Sequence, residues 1–263
     1  MQTEKIVEIV RSTRKLSLPN FGNIEAEEKT IGEDKEIVTK IDREIESYLK
    51  IELVKIMPDI PFVGEEFGGN RADGKFWLVD PIDGTGHYIR GIPFCTTMLA
   101  LIDNGQVIFS IIYDFVNDII YHAELGKGSF KDGEKINVSN RNLKNAYFCC
   151  EINSRKEENK SLLFAIRSRA NILHTLCAGY EFTLVAMGKI EGRIVYDGFG
   201  KDYDFAAGTL LVSEAGGTVR NFHSDKYDYT NLNFIASNNS VYNDLFLGEE
   251  NIEKYIKQFQ KKI

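Results

Sequence analysis

The stretch "WLVDPIDGTGHYIRGIP", residues 77–93, decides the reading. Phe76–Val79 is a short apolar run that predicts a strand, and Asp80 delivers a carboxylate at its end. Pro81 fixes a turn that brings Asp83 back beside Asp80. Two carboxylates that close repel each other, and a buried charge without a partner costs several kcal/mol. Either one is protonated or a cation sits between them. Ligands that are all oxygen suit a hard ion such as Mg²⁺ rather than zinc. Gly84 lets the backbone approach a ligand closely. A helix starting near Thr85 would aim its free N–H groups at the same spot, and such a terminus favours anions. A cation and N–H donors converging on one point make a phosphate site.

On the N-terminal side, residues 4–16 read as an amphipathic helix with Ile6, Val7 and Val10 at helical spacing. "EAEEKTIGEDKE" (25–36) reads as a flexible surface loop. A second helix carries Ile41, Ile45, Tyr48, Leu49, Leu53 and Ile56 at a period near 3.6 and stops at Pro58. "IPFVGEEFGGN" (60–70) then predicts a short strand and a glycine-rich loop.

On the C-terminal side, "TTMLALID", "QVIFSIIYD" and "DIIYHAE" predict an antiparallel meander with turn residues at the joints. "YEFTLVAMGK" reads as helix and "RIVYD" as strand. "DFAAGTLLVSEAGG" reads as a helix that ends at Gly216–Gly217. "NLNFIASNN" predicts a strand, and a closing helix follows. Hairpins and crossovers together give a layered α/β (α+β) fold. One domain over 1–263 is expected, with sub-domains about 1–145 and 146–263.

Composition narrows the class. The 263 residues are 43% hydrophobic and 27% charged, as in ordinary globular proteins. A net charge of −7, with no basic run, speaks against a nucleic-acid or anionic-membrane surface. An anionic substrate would need a local cation to overcome that field. No apolar run reaches 18 residues and the N-terminus has no signal-peptide pattern, so no membrane span and a cytoplasmic location are expected. Cys95, Cys149, Cys150 and Cys177 form no C-x-x-C pair and read as reduced thiols.

Other acids stand where a ligand or a helix cap is equally natural. Glu65 and Glu66 follow a strand through Gly64. Asp204 stands just before an apolar helix, as an N-cap would. Asp42 lies at a helix start. Taken singly, each reads as a turn, a cap or a surface pair.

In this order the set is specific. "GEE" at 64–66, "WLVDPIDGT" at 77–85, "GIP" at 91–93, "GKGSFKDGEKINVS" at 126–139 and "YDFAAGTLLVSEAGG" at 203–217 run along nearly the whole chain. Together the chain resembles the inositol monophosphatase superfamily, the lithium-sensitive, magnesium-dependent phosphomonoesterases. The resemblance implies an αβαβα sandwich and two or three Mg²⁺ ions. Glu65, Asp80, Asp83, Asp204 and the carbonyl of Ile82 would be metal ligands. Thr85, with Asp42 or Glu65, would activate the attacking water. The N–H groups of Gly84 and Thr85, beside Asp83, would hold the phosphate. A homodimer is the family habit.

The substrate-facing parts depart from the family pattern. "DGTGHYIRG" puts His87 where an amide is usual, a ring expected to pack or hydrogen-bond locally, and leaves Arg90 as a spare cation. "LCAGYEF" (176–182) sets Cys177 where serine is usual, followed by Ala178–Gly179. Asp197 falls where an acid, commonly glutamate, reads ring hydroxyls, and Lys201 stands at the expected rim. An inositol monophosphate leads as the expected substrate. Fructose 1,6-bisphosphate, in a bifunctional enzyme, and 3'-phosphoadenosine 5'-phosphate, a nucleotide, remain as alternatives.

Overall fold

The computed structural model describes residues 2–31, 34–71, 74–248 and 251–260. Helices α1 (Thr3–Ser12) and α2 (Arg14–Ser17) open the chain. They are one helical reading divided at Thr13, whose hydroxyl bonds back to Val10 O at 2.7 Å. Strands β1 (Glu27–Ile31) and β2 (Asp34–Val38) pair antiparallel. The surface loop expected over 25–36 is therefore a hairpin where it is described; residues 32 and 33 lie outside the described residues. Its charged alternation has no apolar face to announce a strand.

Helix α3 (Lys40–Ile56) buries Ile41, Ile45, Leu49 and Leu53, as its stripe predicts. Strands β3 (Phe62–Gly64) and β4 (Lys75–Asp83) lead to the short helix α4 (Thr85–Arg90). The meander follows as β5 (Thr96–Asp103), β6 (Gln106–Asp114), β7 (Ile119–Glu124), β8 (Gly128–Lys131) and β9 (Glu134–Ile136). Strands β3 to β9 form one sheet in chain order, parallel only between β3 and β4. Next come β10 (Tyr147–Ile152), α5 (Glu157–Arg167), β11 (Asn171–Leu173), α6 (Ala178–Ala186), β12 (Gly192–Tyr196) and α7 (Asp202–Glu214). Strands β13 (Thr218–Asn221) and β14 (Phe234–Ser237) precede α8 (Asn239–Tyr242) and α9 (Glu253–Gln260). The second sheet runs β11-β10-β12-β14-β13.

The large sheet is buried on both faces, which explains its unbroken apolar runs. Successive side chains point to opposite faces. Trp77, Val79, Leu99, Leu101 and Phe109 therefore pack with Ile6, Val10 and the α3 stripe. Phe76, Leu78, Met98, Ala100 and Ile102 pack instead with Phe182, Val185, Phe205 and Leu211 of α6 and α7. That second core continues to Val195 and Phe234 of the small sheet. The far face of the small sheet carries Ile194 and Ile235 against Leu162, Val241 and Ile256 of the outer helices. The order is helix, sheet, helix pair, sheet, helix, so the expected αβαβα sandwich is the observed one. Among the described residues no helix is long and apolar enough to cross a membrane.

Candidate active site

Strand β4 carries its apolar run straight into Asp80, which is buried. Along a regular strand, residues three apart face opposite ways. Here the register breaks: Asp80 pairs with Met98 and Asp83 with Thr96, so three steps on β4 oppose two on β5. This bulge, at Pro81–Ile82, turns Asp83 back to the face of Asp80. That face looks toward α7, whose first turn holds Asp204. Carboxylate oxygens of Asp80, Asp83 and Asp204 all lie within 4.8 Å of one another.

The three aspartates differ in support. Asp83 accepts N–H bonds from Ala178 at 3.1 Å and Gly179 at 2.6 Å, at the start of α6. The Cys177 thiol stands 3.0 Å from its Oδ2. Asp204 Oδ2 accepts the backbone N–H of Lys201 at 2.5 Å. The sequence reading placed Asp204 at the cap; the helix begins two residues earlier, and Asp204 reaches back from its third position. Asp80 Oδ1 is buried and has no hydrogen-bond donor among the described residues.

Burial pushes the Asp80 carboxyl well above the usual carboxylate range, and Glu65, Asp204 and Asp83 push it further. Burial raises Asp204 too, followed by the charge of Asp83. Burial raises Asp83 as well, opposed by its bonds from Cys177, Gly179 and Ala178. A cluster of oxygens that repel one another, one of them an orphan, has the chemistry of a hard-cation site.

Beside this cluster Gly84 holds a φ of +83°, and a Cβ there would stand 2.7 Å from Phe94 O. Only glycine makes that turn without strain. Helix α4 starts at the next residue, Thr85. The Thr85 hydroxyl lies 2.9 Å from Ile82 O and 3.3 Å from Asp42 Oδ1. Asp42 is the third residue of α3 and its Oδ2 accepts from Thr39 N at 2.8 Å and Thr39 Oγ1 at 2.6 Å. Burial lifts the Asp42 carboxyl to about 6 despite those bonds.

A cavity of about 420 Å³ opens beside these groups, with Asp80, Ile82 and Asp42 outside its lining. Glu65, Asp83, Gly84, Thr85, Ala178, Lys201 and Asp204 all line it. The structure does not bring Asp197 to that lining. Its carboxylate is held by Lys156 Nζ at 3.0 Å and Asn159 Nδ2 at 3.2 Å. Arg90 is also outside the lining, with its guanidinium donating to Gly86 O at 2.6 Å. His87 Nδ1 lies 2.9 Å from Phe94 O.

Sequence reasoning missed two supports of the site. Buried Glu46 accepts the N–H groups of Glu66 at 2.7 Å and Phe67 at 2.9 Å, and so holds the loop of Glu65. Gly64 gives it room, since a Cβ there would overlap the Glu46 carboxyl. Its signal was an acid pair, Asp42 and Glu46, one turn apart beside the buried stripe of α3. Arg193, buried on β12, pairs with Glu151 at 2.5 Å and with Glu181. Nothing in the sequence separates these two glutamates from surface acids.

The sequence profile of the inositol monophosphatase family matches residues 2–263. The chain belongs to this family. Within that family the fructose-1,6-bisphosphatase/inositol-1-monophosphatase of Thermotoga maritima is 30% identical over 242 residues, covering 91% of this chain and 92% of that protein. Inositol monophosphatase 1 of Xenopus laevis is 28% identical, covering 77% of this chain and 75% of that protein. The solved structure of a Thermotoga maritima IMPase superposes with a TM-score of 0.82 at 26% identity, over 97% of this chain and 96% of that one. The chain is thus an enzyme of the phosphoric monoester hydrolase type, and Asp80, Asp83 and Asp204 could hold its metal.

Proposed function

We propose that the chain hydrolyses a small phosphate monoester with Mg²⁺ held by Asp80, Asp83 and Asp204, joined by Glu65 and the carbonyl of Ile82. The observation that carries this reading is the three-aspartate cluster beside the Thr85–Asp42 pair, with Asp83, Asp204 and Thr85 open to one cavity. Bound Mg²⁺ supplies a water of lowered pKa and screens charge on the phosphoryl oxygens.

The chain's own residues do the rest. A hydroxyl has one hydrogen to donate and lone pairs to accept with. When Thr85 donates to Asp42, its oxygen is left to accept a bond from the attacking water and orient it. Asp42, at about 6, is matched to taking up a proton near neutral pH. The first amides of α4 have no intrahelical acceptor, and those of Gly84 and Thr85 serve the phosphate. Lys201, at the cavity wall, adds positive charge for an anionic ester.

Inositol 1-phosphate is the first substrate to try and fructose 1,6-bisphosphate the second, since the names of the relatives carry both activities. A homodimer and inhibition by Li⁺ belong to the same reading. Phosphate release from each ester, with Mg²⁺ and with EDTA, tests it. Normal turnover by Asp80→Asn or Asp204→Asn at ordinary Mg²⁺ would sink it, and activity unchanged at millimolar Li⁺ would remove the lithium clause.

A further inference from the structure

Glu65 lines the cavity beside acids that repel it. Burial and then the charge of Glu65 push the Asp80 carboxyl up. Glu65 also acts on Asp204, after burial and the charge of Asp83. Like charges this close favour a loop that swings away, so the loop of Glu65 needs to be held.

It is held at two places. At its start, Glu46 accepts the N–H groups of Glu66 and Phe67. Residues 67–71 then run exposed along the surface. At the end of this limb, Arg71 Nε donates to Asp202 Oδ2 at 3.0 Å and Arg71 Nη2 donates to Asp202 Oδ1 at 2.8 Å. Two parallel bonds from a guanidinium to a carboxylate make the strongest form of a surface ion pair. Asp202 is the first residue of α7, two before Asp204. A helix start suits its negative charge and does not suit a cation, so Arg71 is drawn there by Asp202 itself. The pair spans 131 positions and joins the loop of Glu65 to the helix of Asp204. Both residues lie outside the cavity lining.

We propose that Arg71 and Asp202 are positioning residues, whose ion pair latches the exposed limb of the Glu65 loop to the first turn of α7 and so keeps Glu65 and Asp204 at one metal site. This rests on the metal-dependent reading above and adds to it the side chains that hold its Glu65 ligand in place.

The latch and the bare electric field predict opposite signs. A cation beside an acidic cluster weakens the binding of another cation. By field alone, Arg71→Met would bind Mg²⁺ more tightly. With the latch lost, it should bind Mg²⁺ more weakly.

Calorimetric titration of the whole protein with Mg²⁺ reads that sign without any substrate. Arg71→Met should raise the Kd about three- to five-fold, the upper range for an exposed pair. Arg71→Lys keeps the charge but not the fork, and should recover part of the affinity. In an Asp202→Asn background the latch is already open, so Arg71→Met should raise the Kd no further. Hydrogen exchange in EDTA should show the 65–71 amides opening faster in Arg71→Met, with the urea midpoint close to that of the parent. With a hydrolysed ester, the Mg²⁺ needed for half-maximal rate should rise by the same factor while kcat at saturating Mg²⁺ holds.

A Kd that is unchanged or lowered in Arg71→Met overturns the latch. So does a further rise in the Asp202→Asn background, or exchange of the 65–71 amides at the rate of the parent. If the parent takes up no Mg²⁺, the metal reading fails by itself. Faster exchange in Arg71→Met then still supports the latch, and unchanged exchange removes it.

Discussion

Asp83 Oδ2 accepts the backbone N–H of Gly179 at 2.6 Å, across 96 positions of the chain. The bond ties the bulged end of β4 to the first turn of α6. With the Ala178 N–H at 3.1 Å, it makes Asp83 the anion that caps that helix. Burial alone pushes the Asp83 carboxyl toward its protonated form. The Cys177, Gly179 and Ala178 donors work against burial and favour the carboxylate a cation needs.

Gly179→Ala tests that tie. A Cβ at position 179 would collide with Thr96 Oγ1 and stand 3.2 Å from Asp83 Oδ2. Neither β5 nor the aspartate can retreat without breaking a bond. The variant should lose about 1–3 kcal/mol of stability by overpacking. It should also lose much of the rise in melting temperature that Mg²⁺ gives the parent. Thermal melts with EDTA and with excess Mg²⁺ separate the two effects.

Asp80→Asn should move stability in opposite directions with and without metal. The carboxyl is raised first by burial and then by Glu65, Asp204 and Asp83. A carboxyl raised in the folded state adds most stability at low pH and loses it as pH climbs through the folded value. At neutral pH, in EDTA, removing that ionisable group should raise the melting temperature. Mg²⁺ at a hundred times its Kd should stabilise the parent by about 2.7 kcal/mol and the variant far less. A variant that is destabilised in EDTA would contradict this account of Asp80.

The layers and the meeting of Asp80 with Asp83 were legible in the sequence because they rest on local signals. Strands buried on both faces must read as apolar runs, and a 17-residue helix with one buried stripe must read at helical period. The D-P-I-D-G-T string carries its own bulge and turn, so Asp80, Asp83, Gly84 and Thr85 could be placed without tertiary knowledge. Asp197 could not be placed so. Its side chain direction is set by a φ of +49° and by Lys156 and Asn159, which arrive from α5 and the segment before it. Glu46, Glu151 and Glu181 went unseen for a related reason. Each accepts bonds from backbone or from Arg193 far along the chain, and a buried glutamate looks like an exposed one until the fold is known.

The Asp42 carboxyl gives a pH prediction with a definite sign. It rises from 3.8 to about 6 on folding, mainly through burial. The unfolded chain releases the proton first, so stability should fall as pH climbs from 3.8 and level off above about 6. The shift corresponds to at most about 3 kcal/mol. Asp42→Asn keeps an acceptor for Thr39 and should flatten that part of the curve, measured by urea unfolding in EDTA between pH 4 and pH 8. In the active enzyme the acid limb of kcat/KM near pH 6 should disappear, and turnover should drop by roughly 10²–10⁴, as for a lost proton acceptor. An unchanged limb would assign the proton to another group.

Arg193 should be the residue whose loss harms the fold most among those around the cavity. It is buried on β12 between Glu151 and Glu181, with the rings of Phe182 and Phe205 at 5.1 and 5.3 Å from its guanidinium. Removing one partner from a buried ion group leaves uncompensated charge and costs about 3–5 kcal/mol. Arg193→Met leaves two carboxylates facing each other across the gap, so its urea midpoint should fall steeply. The triple variant Glu151→Gln, Glu181→Gln, Arg193→Met removes the charges together and should recover most of the loss. Glu151 also holds the N–H groups of Phe199 and Gly200, which lead into the turn of α7 that carries Asp204. Even a refolded single variant should therefore need more Mg²⁺ for half-maximal activity, whereas the triple variant should recover stability more fully than it recovers metal affinity, because glutamine holds those two amides less tightly than a carboxylate does.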